Sequence, residues 1–249
     1  MTVRKNVLIT GASSGLGEAM ARKHAARGSD LALCARRADR LETLKAELTA
    51  VHPGIRIEVH TLDVNDHDQV FRVFRSCRGT LGTLDRVVVN AGVGHGSPVG
   101  TGGFPANARI LQTNLVAALA QCEAAVEIFR DQGSGHLVVI SSMSAMRGLP
   151  HLTAYGASKA GVATLAEGIR ASLLGTPIKV TTLFPGYIES EMTTTGNEPT
   201  PMMVSTEKGV TSMMKAIEAE RAQAKVPAWP WIPMGFVMRH APLRIVAKS

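Results

Sequence analysis

The sequence is poor in features that define several whole classes of protein. Three of its 249 residues are cysteine, and none stands in a Cys-x-x-Cys pair, which argues against a disulfide framework and against a zinc or other metal site. There is no apolar stretch of about 18 residues or more, so no membrane-spanning helix is expected. The N-terminal residues also lack the apolar region and cleavage site of a signal peptide. We therefore expect a cytoplasmic protein with reduced thiols.

Acidic residues are fewer than basic ones, 20 against 27, which gives a net charge of +7. Such an excess permits binding to nucleic acid or anionic lipid. The basic residues are spread along the chain rather than concentrated in a run, and this favours a role in solubility over a nucleic-acid-binding surface. Aromatic residues make up only 4% of the chain, so aliphatic side chains must fill the core.

Short apolar runs alternate with longer segments of helical period. Runs that are apolar almost throughout are typical of parallel strands buried on both faces. The alternation predicts an α/β fold in a single domain, with a doubly wound, Rossmann-like parallel sheet and helices on both faces. The predicted strands are 6–10, 31–35, 55–62, 86–90, 136–141 and 179–184. The predicted helices are 16–28, 38–51, 66–79, 105–131, 153–174 and about 206–222.

The pattern changes after the last predicted strand. Residues 186–206 are rich in Thr, Pro, Gly and Met, which predicts a substrate loop or lid. We place the main domain at 1–228 and a tail at 229–249, which holds both tryptophans and only positive charge. Prolines near the start of the tail argue against a long amphipathic helix on an anionic membrane surface. The tail is therefore expected to cover the pocket or to pack on another subunit.

Three glycines follow the first strand and precede the first helix. Gly11, Gly15 and Gly17 have the spacing Gly-x-x-x-Gly-x-Gly. Glycines allow a tight turn and a close approach of the backbone to a pyrophosphate, whose charge the free N–H groups of a helix start can bind. A strand–helix turn without a ligand is the alternative. The position after the first strand of an α/β alternation favours the nucleotide site.

The end of the second strand predicts which nucleotide binds. Folds that select NAD place an acidic residue here for the ribose hydroxyl, whereas a basic residue suits the 2′-phosphate of NADP. This chain has Arg36 and Arg37 and no acidic residue before Asp39. A guanidinium binds phosphate through two hydrogen bonds. We expect NADP(H), with Arg36 as the main contact and Arg37 or Ser13 assisting, although Arg37 equally suits a solvated helix start.

Seven short motifs occur in an order and at separations that resemble the short-chain dehydrogenase/reductase family, from about residue 4 to about 228. They are "TGASSGLG" (10–17), "LDV" (62–64), "NAG" (90–92), "TN" (113–114), "ISSMSA" (140–145), "YGASK" (155–159) and "PG" (185–186). Each motif alone is weak, but together they are specific.

The resemblance implies a role for each of four catalytic residues. Tyr155 matches the general acid/base, Lys159 its activator, Ser142 the hydroxyl that binds the substrate oxygen, and Asn114 the residue that helps to hold a water beside the lysine. The implied cofactor-binding positions are Gly11, Ser13, Ser14, Gly15, Leu16, Gly17, Arg36, Arg37, Asp63, Val64, Asn90, Ala91, Gly92, Tyr155, Lys159, Pro185, Gly186, Ile188 and Ser190. At the last of these positions serine replaces the threonine that is more usual in the family.

The resemblance also implies an activity, the NADPH-dependent interconversion of a ketone and an alcohol. A free tyrosine, with a pKa of about 10, is a poor base near neutrality. A lysine ammonium one helical turn away is expected to lower that pKa. A homodimer or homotetramer is implied as well. The alternative is a nucleotide-binding regulator without turnover, but such a protein has no chemical need for the complete set of four residues.

The substrate is the least determined feature. Methionine adapts to irregular apolar shapes, which favours an apolar substrate, although the same residues could serve only as packing. The expected surroundings are Val93, Met143, Met146, Leu149, Tyr187, Met192, Met202 and Met203.

Overall fold

A central sheet of parallel strands organises the part of the chain that the computed structural model describes, residues 4–94, 96–150, 152–193 and 202–246. Its strand order is β3-β2-β1-β4-β5-β6-β7. The strands are β1 Asn6–Thr10, β2 Asp30–Ala35, β3 Ile57–Thr61, β4 Arg86–Val89, β5 Gly135–Ile140, β6 Ile178–Pro185 and β7 Gln223–Val226. The doubly wound sheet expected from the sequence is confirmed.

Helices cover both faces of the sheet and create two apolar cores. One core lies under α1 (Gly15–Ala25), α2 (Ala38–Val51) and α7 (Thr206–Glu218). The other lies under α3 (His67–Leu81), α5 (Ala117–Gln132) and α6 (Thr153–Ser172). Strands buried on both faces explain why β1, β2, β4 and β5 are apolar almost throughout.

The strand order places the site. The chain moves from β1 outward to β2 and β3, then returns to the other side of β1 with β4. The loops after β1 and β4 therefore diverge, and a crevice opens at the carboxyl ends of these two strands.

The predicted helix 105–131 is divided in the structure. It consists of α4 (Phe104–Leu111), a π-helical turn (Gln112–Val116) and α5. A π-helical turn is a rare insertion that often marks a functional position, and this one contains Asn114.

Two features of the C-terminal part differ from the sequence-based predictions. Strand β7 was not predicted, because it has only four residues and lacks the continuous apolar pattern of the inner strands. The prolines do not prevent a helix in the tail, where α8 (Ala228–His240) and α9 (Leu243–Val246) form. The backbone of Trp229 is non-helical (φ −102°, ψ 132°), so the regular part of α8 starts after it and the prolines lie near its first turn.

The expected substrate loop 186–206 is described only in part, since residues 194–201 lie outside the described ranges. Its two ends are joined by backbone hydrogen bonds. The N–H of Glu189 donates to the carbonyl of Val204 (3.0 Å), and the N–H of Val204 donates to the carbonyl of Tyr187 (3.0 Å). No helix in the described part of the chain is both long and apolar enough to cross a membrane.

Candidate active site

The glycine loop is shaped by close backbone contacts. A Cβ on Gly17 would lie 2.3 Å from the carbonyl oxygen of Gly11, so the first turn of α1 can approach the end of β1 only with glycine there. Gly11 (φ 66°) and Gly15 (φ 55°) occupy the left-handed region, which glycine adopts without strain. All three glycines thus have a steric reason to be present.

The loop after β4 is fixed against the same glycine loop. The Asn90 side chain donates to the carbonyl of Thr10 (2.9 Å), and the backbone N–H groups of Asn90 and Ala91 donate to the Thr10 hydroxyl (3.1 and 3.2 Å). A Cβ on Gly11 would lie 2.9 Å from the Cα of Ala91. The two loops therefore form one rigid wall of the crevice.

A cavity of about 650 Å³ follows the crevice along the carboxyl ends of the strands. This volume lies within the range of about 300–1,000 Å³ that is typical of ligand and cofactor pockets. The expected site residues that line it are Gly11, Ser13, Ser14, Gly15, Leu16, Arg36, Arg37, Asp63, Val64, Asn90, Ala91, Gly92, Ser142, Tyr155, Pro185, Gly186, Ile188 and Ser190. Three expected residues, Gly17, Asn114 and Lys159, lie behind this lining.

Lys159 is buried behind Tyr155 and tied to β5. Its Nζ lies 5.9 Å from the centre of the Tyr155 ring and donates to the carbonyl of Ile140 (2.9 Å). The Ser141 hydroxyl donates to the carbonyl of Lys159 (2.7 Å), so α6 is held to the end of β5 at two points. Burial lowers the pKa of Lys159 to about 8.

The pKa of Tyr155 differs from the sequence-based expectation. Burial raises the pKa of the phenol, while a hydrogen bond with Ser142 opposes that rise. The net shift is therefore upward, against the sequence-based expectation of a lowered pKa, because burial of the phenol is the largest influence on it. A phenol with a raised pKa stays protonated and can act as an acid.

Asn114 joins the loop after β4 to α6. Its amide makes a pair of hydrogen bonds with the backbone of Val93, both 2.8 Å, and its Nδ2 also donates to the Ser158 hydroxyl (3.2 Å). A Cβ on Gly92 would lie 3.0 Å from the Asn114 oxygen and 3.7 Å from the Lys159 nitrogen. The asparagine is therefore close to the lysine and holds the loop beside it in place.

The two arginines after β2 lie at the other end of the cavity in different environments. Arg36 is exposed and has no ion pair within the described residues. Arg37 donates to the hydroxyls of Ser13 (Nε, 3.2 Å) and Ser14 (Nη2, 2.6 Å) of the glycine loop. It also pairs with Glu191.

Six further polar residues in the cavity wall were not among the predicted site residues. They are Asn65, Arg109, Thr113, Ser141, Glu191 and Thr193. The Thr113 hydroxyl donates to the Asn65 side chain (3.2 Å), which links the end of β3 to the π-helical turn. Motif position could have indicated Asn65 and Thr113, which adjoin "LDV" and begin "TN". Nothing in the sequence marks Glu191, because its partners are far away along the chain.

The residues expected near the substrate divide into two groups. Met192 and Val93 line the cavity. Met143 is buried and forms a cluster with Phe184 and Trp231, against which Met146 packs. The ring of Tyr187 lies edge-on to Trp231, with centroids 5.5 Å apart. Part of the methionine set therefore serves as packing under α8.

The fold and site are those of a dinucleotide-binding α/β protein, because a glycine loop, a switch point and a lining of serine and arginine side chains meet in one cavity. The comparisons with known proteins agree. The family model described as short chain dehydrogenase matches residues 5–201. An uncharacterized oxidoreductase of Mycobacterium tuberculosis is 52% identical over 246 residues, covering 98% of this chain and 97% of its own.

Solved structures agree on the fold. A short-chain dehydrogenase/reductase from Burkholderia phymatum in complex with NAD is 21% identical with a TM-score of 0.84, over 98% of this chain and 95% of its own. An alcohol dehydrogenase from Thermococcus sibiricus complexed with 5-hydroxy-NADP is 24% identical with a TM-score of 0.80, over 89% and 95%.

The chain belongs to the short-chain dehydrogenase family and is an oxidoreductase. The family uses nicotinamide cofactors, and the residues present fit such a group, because the backbone contacts of Gly11 and Gly17 leave the phosphate-binding turn free of side chains. The relatives with this fold carry NAD or a derivative of NADP, so the fold alone does not choose between them.

Proposed function

We propose that this protein catalyses the NADPH-dependent interconversion of a ketone and an alcohol, with Tyr155 as the general acid/base. The observation that supports this most strongly is that Tyr155 and Ser142 line the same cavity as the glycine loop and the arginines after β2. The nicotinamide ring, when bound, supplies or accepts the hydride. The protein must then hold the carbonyl and deliver a proton.

Ser142 and Tyr155 suit these two tasks. Ser142 lies just after β5, and Tyr155 lies in the first turn of α6, so both side chains are held by buried secondary structure. The two hydroxyls are close enough to influence each other, and a carbonyl oxygen placed between them would receive a hydrogen bond from each. The phenol, kept protonated by burial, gives its proton to the oxygen as negative charge develops there.

Lys159 and Asn114 support the pair from behind the cavity wall. The Lys159 ammonium places a positive charge behind the phenol, which favours proton release from Tyr155 during the reaction. Asn114 fixes the backbone at Val93. The family resemblance implies that it also helps to hold a water beside the lysine. Both are expected to act through Tyr155 rather than on the substrate.

The acid/base role is tested by removing one hydroxyl. Tyr155→Phe should lower kcat for ketone reduction by at least about a hundredfold, the usual contribution of general acid catalysis, while NADPH affinity changes little. The chain has only one other tyrosine, Tyr187, so Tyr187→Phe is a matched control that should keep most of the activity. NADPH oxidation against a panel of ketones and NADPH titration give both readings. Full activity in Tyr155→Phe would falsify the role.

The preference for NADPH is tested at Arg36, the exposed arginine at the cavity rim. Arg36→Ala should weaken NADPH binding about tenfold and leave NADH binding nearly unchanged, because a charge-assisted bond to the 2′-phosphate is lost. Equal weakening of both cofactors would contradict the assignment. Arg72→Ala on the surface of α3 is a control for loss of one positive charge elsewhere.

The substrate is proposed to be apolar, and the tail to cover its site. Trp231 on α8 is buried against the loop after β6, where a Cβ on Gly186 would meet its ring at 1.9 Å. This contact supports a covering role for the tail 229–249, beside a main domain 1–228, with packing on another subunit as the alternative. A homodimer or homotetramer in the cytoplasm stays the expected assembly and location.

A further inference from the structure

Glu191 forms a bridge across the mouth of the cofactor cavity. It follows Ser190 in the loop after β6, yet its Oε2 lies 3.2 Å from both terminal nitrogens of Arg37, in the loop after β2. Its other carboxylate oxygen pairs with Arg40 on α2. Two cations from one side of the crevice thus hold one anion from the other side.

The Arg37 guanidinium is held where the 2′-phosphate of NADP is expected. It bonds to the hydroxyls of Ser13 and Ser14, both in the glycine loop, while it pairs with Glu191. All four side chains line the same cavity as Arg36. The carboxylate therefore has the arginine and hydroxyl surroundings that suit a phosphate group.

The Glu191 carboxylate carries a negative charge, as the 2′-phosphate does. The hydrogen bond with Arg40, together with those from Ser14 and Arg37, lowers the pKa of Glu191 to about 2, so it is ionised at neutral pH. The ion pair is exposed, with 41% of the Arg37 side chain and 54% of the Glu191 side chain accessible. Exposed pairs contribute little to stability, so a phosphate that carries nearly two negative charges can replace the carboxylate.

We propose that Glu191 competes with the 2′-phosphate of the cofactor for Arg37. Glu191 is thereby a specificity-determining residue, which weakens the binding of NADP(H) relative to that of NAD(H). Binding of the phosphorylated cofactor must release Glu191 from Arg37, whereas the unphosphorylated cofactor leaves the pair in place. This inference rests on the proposed NADP(H) function, and it places part of the cofactor selection in the loop after β6 as well as in the arginines.

The test measures binding of two cofactor fragments to the full chain by calorimetry, without turnover. The fragments are 2′,5′-ADP, which has the additional phosphate, and 5′-AMP, which lacks it. Glu191→Gln should bind 2′,5′-ADP about three- to tenfold more tightly than the unaltered protein, with 5′-AMP changed less than about twofold. Glu189→Gln is the matched control, because Glu189 is in the same loop, is exposed, and has no ion pair among the described residues.

A double-mutant cycle with Arg37→Ala separates competition from general charge. The gain from Glu191→Gln should be largely lost when Arg37 is alanine. The inference is overturned if Glu189→Gln gives the same gain in affinity or if Glu191→Gln changes the affinity for neither fragment. It is also overturned if Glu191→Gln weakens the binding of both fragments equally, which would mean that the ion pair only holds the two sides of the cleft together.

Failure of the proposed cofactor preference can be told apart from failure of this inference. If the unaltered protein prefers 2′,5′-ADP but Glu191→Gln has no effect, only the inference is wrong. If the unaltered protein shows no preference and Glu191→Gln creates one, the inference holds and the proposed preference is wrong. If neither protein shows a preference, both are wrong.

Discussion

At the residue scale, Lys159 has an environment that constrains the chemistry closely. Its amine is buried, donates a hydrogen bond to a backbone carbonyl and forms no ion pair among the described residues. Burial without an opposing charge explains why its pKa falls to about 8. The charge state of Lys159 therefore changes within the range in which enzymes are assayed.

This pKa predicts the pH dependence of ketone reduction. Below about pH 8 Lys159 carries its proton and supports proton release from Tyr155; above it the ammonium is lost, so kcat/KM should fall as the pH rises through this value. Arginine keeps its charge at all these pH values, so Lys159→Arg should move the falling limb to higher pH if the variant keeps activity. Initial rates between pH 6 and 10 give the profile.

Lys179→Arg provides the control. Lys179 is exposed on β6, so this substitution should leave the pH profile of kcat/KM unchanged. A kcat/KM that stays constant up to pH 10 in the unaltered protein would contradict the role assigned to the Lys159 charge.

At the scale of single elements, the start of α1 shows how one atom sets the distance between a helix and a strand. A Cβ on Gly17 would meet the carbonyl oxygen of Gly11 at 2.3 Å and the Asn90 amide at 2.7 Å. The nearer of these atoms belongs to the backbone, which cannot move aside as a flexible side chain can. The glycine loop and the loop after β4 would have to separate.

Gly17→Ala is therefore expected to lower both stability and NADPH affinity, the latter by at least about tenfold, because the wall that holds the pyrophosphate is displaced. Gly168→Ala is the matched control: it is also helical, but a Cβ would meet nothing within 4 Å, and alanine should stabilise α6 by up to about 1 kcal/mol. Urea unfolding and NADPH titration measure both effects. Equal behaviour of the two variants would contradict the steric argument.

At the scale of the whole molecule, the two ends of the parallel strands have different electrostatic environments. The carboxyl ends form the cavity, while the amino ends bury a polar network. There Arg86 donates to the ring of His136 (3.0 Å) and pairs with Glu218 (2.7 Å). His24 on α1 is buried nearby, and burial, with the charges of Arg86 and Arg27, lowers its pKa to about 3.

This buried histidine predicts sensitivity to acid. Below pH 6.5, the ordinary pKa of histidine, His24 binds a proton in the unfolded chain but not in the folded protein. The free energy of unfolding therefore falls as the pH decreases from about 6.5 towards 3. The loss from one such group approaches about 1.4 kcal/mol per pH unit. His24→Met should remove part of this loss, and His136 retains the rest, since burial lowers its pKa too.

The measurement is the free energy of unfolding in urea at pH 5 and pH 7. His240→Met is a control because His240 is exposed at the end of α8. If His24→Met loses as much stability between the two values as the unaltered protein, the acid sensitivity has another source.

The sequence by itself determined the alternation of elements, the parallel sheet, the family and the four catalytic candidates. These follow from local information: apolar runs, glycines at a turn, and motifs whose order along the chain is retained. Buried parallel strands require continuous apolar sequences, so β1 to β6 could be predicted and the short, polar β7 could not.

Only the tertiary structure decided which side chains meet across long separations. It placed Glu191 on Arg37 and Arg40, turned the Lys159 amine to Ile140, and brought Cys34 and Cys77, which are distant in sequence, into contact in the core. It also reversed the expected direction of the Tyr155 pKa shift. The physical reason is that charge, burial and hydrogen bonding depend on distances through space, which the packing of helices on the sheet sets and the local sequence does not encode.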